Sequence, residues 1–132
     1  MDFSEHLRKY FETGEVRISP DIFAMVQTSA PVSGAFVNIM DDYECTVILP
    51  ERDVEKCNAK KISGGWRLFT LHIFFPPDCF GVTATIATAL AHKNISIMPI
   101  AAYSRDHFLI SDKDMNGAKD VFESLGITVV FQ

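Results

Sequence analysis

WRLFTLHIFFPPDCFGVTATIATALAHKNISIMPIAAYSRDHFLISDKDMNGAKDVFESLGITVVFQ, residues 66–132, carries a secondary-structure pattern sharp enough to fix a topology. Trp66 to Phe75 is apolar on both faces of a strand's two-residue period, as a strand central in its sheet must be. Pro76-Pro77 stop that strand, and Asp78 is placed to cap a following helix. Val82, Ile86, Ala89 and Leu90 form one apolar helical stripe running to about His92, and Asn94 ends it. Ile95 to Tyr103 and His107 to Ser111 read as a hairpin around Ser104-Arg105-Asp106. Met115, Ala118, Val121, Phe122 and Leu125 share one face of a second helix, Gly126 stops it, and Thr128 to Phe131 is a final strand. Strand, helix, strand, strand, helix, strand, joined by right-handed crossovers, lays both helices on one face of an antiparallel sheet. The expected fold class is α+β, the ferredoxin-like βαββαβ layout.

Working outward to the N-terminus, Phe3, Leu7, Tyr10 and Phe11 recur at helical spacing within Asp2 to Thr13, with Gly14 where a left-handed C-cap belongs. Ile22 to Gln27, Ala35 to Met40 and Cys45 to Leu49 read as strands. They are punctuated by Ser19-Pro20, by Ala30-Pro31-Val32-Ser33-Gly34 and by the acidic turn Asp41-Asp42-Tyr43-Glu44. Glu51 to Ser63 is polar with one short helical candidate, and Gly64-Gly65 turns the chain into Trp66. The first half thus resembles a degraded copy of the second. The expected organisation is a pseudo-duplicated pair: residues 1–65 as a degenerate module with a leading helix, and residues 66–132 as a full βαββαβ module.

At 132 residues, 48% of them hydrophobic and 22% charged, with 11 Phe, the chain has material for a core and is unlike disordered sequence. Seventeen acidic against 12 basic residues give a formal charge of −5. No overall positive field attracts phosphate backbones or anionic lipid, so neither nucleic acid nor membrane is an expected partner. The charged residues within Met1 to Thr13 fit neither a signal nor a transit peptide, and the apolar run Leu68 to Phe75 is far short of the roughly 20 residues of a spanning helix. A cytoplasmic location is expected. Cys45, Cys57 and Cys79 have no CxxC spacing and read as reduced structural thiols. His6, His72, His92 and His107 show no metal-ligand pairing, and no cofactor is called for.

Three stretches carry a family resemblance. Glu44-Cys45-Thr46-Val47-Ile48-Leu49-Pro50 resembles an acidic-x-Ser/Thr-hydrophobic strand. Phe80-Gly81-Val82-Thr83, followed by Leu90-Ala91-His92-Lys93-Asn94-Ile95-Ser96-Ile97, is similar to a Gly-Val-Thr helix start with a Leu-Ala-x-x-x-Ile-Ser strand entry. Ala101-Ala102-Tyr103-Ser104-Arg105-Asp106-His107-Phe108-Leu109-Ile110 is similar to an Ala-Gly-Tyr-x-x-Asp-His hairpin. Together they resemble the small tandem ACT-domain proteins, a domain-of-unknown-function family related to amino-acid sensors and aspartokinase regulatory domains. The likeness covers roughly residues 15 to 130 and is strongest from Trp66 onward. Ala102 stands where the pattern has Gly, and Pro99 interrupts a strand that is usually Val-rich, which requires an edge or a bulge there. The resemblance implies a non-catalytic regulatory module that binds a small ligand, typically an amino acid, at an interface between ACT modules, and that often forms a dimer.

The candidate site begins at the strand-to-helix loop Asp78 to Thr83, including Phe80, Gly81 and Val82. The first helical N–H groups lack intrahelical partners, and the helix N-terminus favours an α-carboxylate. Gly81 lets a ligand approach the backbone and Thr83 adds a hydroxyl; the competing reading has Gly81 allowing close packing while Thr83 caps. Asp78 is either a cap or a partner for a ligand ammonium. Asp106 is either an ordinary turn residue or an acceptor for a ligand amine, with Tyr103 and Ser104 at the same end of the sheet. His107 is expected to be satisfied by a neighbouring carbonyl or carboxylate. Glu44 belongs to a solvated hairpin tip or substitutes for a ligand contact of the first module. Trp66 is expected to anchor the core. A catalytic triad around Asp106-His107 is not expected, because neighbours in a strand point to opposite faces and no G-x-S-x-G elbow exists. Two functions compete: a small-molecule regulatory module with a protein partner, and a protein-interaction or dimerisation module that has lost its ligand.

Overall fold

The computed structural model describes residues 4–132; Asp2 and Phe3 of the expected first helix lie outside them. The elements are α1 (Ser4–Glu12), β1 (Glu15–Thr28), β2 (Val37–Met40), β3 (Cys45–Pro50), a 3-10 turn (Glu51–Lys56), β4 (Lys61–His72), α2 (Val82–Ala91), β5 (Ile97–Ala101), β6 (Asp106–Ser111), a second 3-10 turn (Asp112–Asp114), α3 (Met115–Ser124) and β7 (Thr128–Phe131). Two compact units emerge. The first combines the chain up to Pro20 with Arg67–Gln132, and the second is Asp21–Trp66. In this nested division both β1 and β4 contribute to each unit.

In the first unit the strand order is β7-β1-β4-β6-β5. β5 pairs antiparallel with β6, with Pro99 opposite Phe108, and it ends the order, so the edge position required for Pro99 is present. Alternation along the strands sends Val16 and Ile18 of β1, Phe69 and Leu71 of β4, and Phe108 and Ile110 of β6 into one core. Leu7 and Phe11 of α1, Ile86 and Leu90 of α2, and Ala118, Val121 and Phe122 of α3 complete it. The helical spacings in the sequence name these same residues. β7 departs from the expected layout, because it pairs in parallel with β1, from Glu15↔Thr128 to Ile18↔Phe131. A strand from the N-terminal half therefore lies between β7 and β4, which no pattern within residues 66–132 can reveal.

In the second unit β1 pairs antiparallel with β3, from Phe23↔Pro50 to Thr28↔Cys45, and β3 pairs antiparallel with β2. Ala24, Val26, Cys45, Val47 and Leu49 form its smaller core. Only the 3-10 turn at Glu51–Lys56 is helical here, in line with the short helical candidate.

Two turn signals proved weaker than strand pairing. β1 runs through Ser19-Pro20, since proline's φ suits extended backbone and its missing N–H removes a single ladder bond. β4 begins at Lys61 and passes through Gly64-Gly65, where Gly65 at φ 77° gives its N–H to the Glu51 carboxylate at 3.0 Å. Gly14 is not left-handed; it is required because a Cβ there would overlap the Ile73 side chain. Trp66 belongs to neither core: it is half-buried and donates its indole N–H to Ser63 Oγ at 3.1 Å.

Candidate functional site

β4 ends at His72, short of the expected Phe75, and residues 73–81 lead into α2. Gly81 is the N-cap of α2 at φ 83°, a left-handed conformation that side chains adopt with strain. Among the described residues no side chain caps this helix end, so the expected capping by Asp78 is not seen; the chain reverses at Gly81 three residues later. The first-turn N–H groups of α2 thus have no side-chain acceptor from the cap position. Phe80 is 60% exposed, and its carbonyl lies 3.1 Å from His6 Nε2 while the two rings sit 4.7 Å apart. Thr83 is exposed on the first turn and Val82 packs against the core.

Tyr103, Ser104 and Asp106 sit together at the β5–β6 turn, which the Ala102 N–H closes onto the Arg105 carbonyl at 3.1 Å. Tyr103 is fully exposed. A cavity of about 370 Å³ beside this turn is lined by His72, Ile73, Phe74, Ser104 and Arg105, and none of residues 78–83 lines it. Glu44 lies in the second unit, where its carboxylate accepts a hydrogen bond from Gln27 Nε2 at 3.0 Å. Beside it Asp41 Oδ1 accepts the N–H groups of Tyr43 and Glu44, both at 2.8 Å. These bonds, that from Glu44 first, hold the Asp41 carboxyl below its usual range. The acidic segment is a structured hairpin tip.

Thr70 Oγ1 lies 2.8 Å from Nδ1 of His107. Burial, followed by the positive charges nearby, lowers the His107 pKa against the opposing pull of Asp106; burial, Arg17 and Arg105 lower that of His72. A folded-state pKa below the unfolded value of about 6.5 means that the neutral ring is favoured by folding. Its contribution is present above about pH 6.5 and is lost as the pH falls through the lower folded value. Urea midpoints measured from neutral to mildly acidic pH are expected to fall with acidification, and His107→Gln to flatten that slope; an equal slope in both proteins refutes this assignment.

His72 and Arg105 were not singled out as site residues by the sequence. The available signal is the alternation of β4, which turns Thr70 and His72 away from the face that buries Phe69 and Leu71. Among the described residues no group of three or more His, Cys, Asp or Glu side chains is arranged to hold a metal ion, and no helix is long and apolar enough to cross a membrane.

Residues 61–124, from the start of β4 to the end of α3, match the family model of the ACT domain. Among solved structures, protein Atu0741 from Agobacterium tumefaciens is similar at TM-score 0.76 and 16% identity, over 90% of this chain and 93% of that one. A protein of unknown function from Vibrio cholerae, VC0802, described as a possible transport protein, is similar at TM-score 0.76 and 17% identity, over 95% and 99%. The ligand-free regulatory subunit of aspartate kinase from Thermus thermophilus is similar at TM-score 0.67 and 10% identity, over 87% and 97%. At these identities the likeness is one of fold. No curated protein matches the chain. The ACT resemblance of the sequence is thereby shown over residues 61–124, and the fold is the ferredoxin-like ACT fold. The family match supports a regulatory ligand-binding module in general and indicates no catalytic family.

Proposed function

We propose that the chain is a non-catalytic regulatory module that binds a small zwitterion, an amino acid, at an interface between ACT modules. The observation that carries this reading is the left-handed, uncapped start of α2 at Gly81, inside the segment that matches the ACT family. The N–H groups of Val82 and Thr83 and the Thr83 hydroxyl receive the ligand carboxylate, with Phe80 beside them. Asp78 and Asp106 are the candidate acceptors for its ammonium group, Tyr103 and Ser104 flank Asp106, and Glu44 serves the first module. The working form is a cytoplasmic homodimer in which ligand binding shifts the affinity for a regulated protein partner.

Thermal unfolding against the twenty amino acids and common metabolites tests this. A ligand at about 100 times its Kd adds about 2.7 kcal/mol of stability. One chemical class is expected to give this rise, with Gly81→Val and Asp106→Ala folded but unresponsive. A flat panel, or variants that respond as the wild type does, refutes it. A second reading, a protein-docking module without a ligand, draws on the exposed Phe74, Phe80 and Tyr103 of the first unit, and the flat panel favours it.

A further inference from the structure

Arg105 reaches back from the β5–β6 turn to the end of β4, where its Nε–H donates to His72 Nδ1 at 3.2 Å. Accepting at Nδ1 fixes the tautomer of a neutral ring: the proton sits on Nε2 and leaves that nitrogen a donor. Among the described residues this is the one hydrogen bond of the Arg105 side chain, and the Ser104 hydroxyl makes none. The cavity of about 370 Å³ here is lined by His72, Ile73, Phe74, Ser104 and Arg105. Its polar lining residues are Arg105, His72 and Ser104, with no carboxylate residue among them. Guanidinium donors present a planar fork that matches carboxylate and phosphate oxygens. Ile73 and the exposed Phe74 supply an apolar wall beside that fork.

We propose that this cavity binds the oxyanion end, carboxylate or phosphate, of a small ligand, with Arg105 as its principal donor and Ser104 and His72 as further donors. The inference goes beyond the function proposed above. It does not use the loop at residues 78–83, and its readout is the His72 ring, so either reading can fail without the other.

The surroundings of His72 give the binding a pH dependence. Arg105 and Arg17 face it with positive charge and Glu15 with negative charge, and Glu12 and Glu15 line a second cavity, of about 330 Å³, that His72 also borders. His107 is a further titrating neighbour, coupled to His72 across the same strands. Arg17 and Glu15 are paired at 2.6 Å, which leaves Arg105 as the cation bonded to the ring. Burial first, and then the repulsion of Arg17 and Arg105, keep the imidazole neutral; an anion beside Arg105 offsets that repulsion and raises the pKa. Binding is therefore tighter as the pH falls through the titration of His72, whose pKa lies below the ordinary histidine value.

The experiment uses the whole chain labelled with ¹⁵N, following the ring signals of its four histidines by NMR during separate titrations with inorganic phosphate and with acetate. The expected result is a saturable shift of the His72 ring with at least one anion; the anion that saturates identifies the oxyanion class. Arg105→Gln is expected to weaken binding about tenfold or more, and Ser104→Ala by a smaller factor, since a bond to a charged donor is the stronger one. Lys93→Gln, which removes an equal charge elsewhere, leaves the affinity unchanged. Acetate does not titrate near neutrality, so its affinity is followed against pH. It rises on acidification in the wild type and is flat in His72→Gln. Absence of a saturable shift with both anions, or equal affinity in wild type and Arg105→Gln, overturns the proposal. A wild-type acetate affinity independent of pH overturns the part assigned to His72.

Discussion

Phe122→Ala is expected to lower the free energy of unfolding by about 3–5 kcal/mol, the range for deleting a large aromatic side chain from a packed core. Phe122 on α3 is fully buried, its ring 5.6 Å from Phe69 at an interplanar angle of 24° and 6.1 Å from Phe108. Those partners stand on β4 and β6, neighbours in the strand order, so one side chain ties a helix to two strands. Its removal costs the transfer of the ring and the contacts of a cavity whose walls are other rings and strands. Phe122→Leu, which refills part of the space, is expected to recover more than half of the loss. Urea unfolding followed by circular dichroism measures both. A loss for the alanine variant below about 1 kcal/mol would fall within the range of ordinary substitutions and sink the assignment.

Gly14→Ala has the second large effect, about 1–3 kcal/mol, the usual cost of overpacking. The new Cβ would overlap Cγ1 and Cδ1 of Ile73 and would lie 3.0 Å from the Tyr10 carbonyl oxygen. Neither neighbour yields freely: Tyr10 O is backbone, and Ile73 packs against the core. The backbone is fixed as well, because the Gly14 N–H bonds the Phe11 carbonyl at 3.1 Å and its own carbonyl accepts from Thr128 N at 3.2 Å. The mechanism has its own signature in a double-mutant cycle with Ile73→Ala, in which the second change makes Gly14→Ala markedly less damaging. Additive losses would show that the strain lies elsewhere.

The C-terminal half was legible because its signals are local. The stripe Val82, Ile86, Ala89, Leu90 and the face Met115, Ala118, Val121, Phe122, Leu125 each fall within one helix, and α2, α3 and β7 stand where those patterns put them. The N-terminal half was less so, for two reasons. Pro20 and Gly64-Gly65 are turn residues by composition, yet they lie inside long strands whose neighbours supply the hydrogen bonds that local preference opposes. The parallel pairing of β7 with Glu15–Ile18 joins positions more than a hundred residues apart, and periodicity holds no information at that range. Within the site, Gly81 was legible as a residue that permits close approach of a ligand or close packing; its left-handed φ of 83° was in neither reading. The Arg105–His72 pair was not, because it joins a turn to a strand end 33 residues away.

The nesting of Asp21–Trp66 inside the other unit has a consequence for the order of events on the ribosome. α1 is made before either unit's strands, yet Leu7 and Phe11 share a core with Ile110 and Phe122, which follow much later in the sequence. Residues 21–66 hold a complete small core of their own much earlier. Synthesis therefore carries an amphipathic helix with its apolar face waiting for the last third of the sequence, a burden of high contact order at which chaperones act.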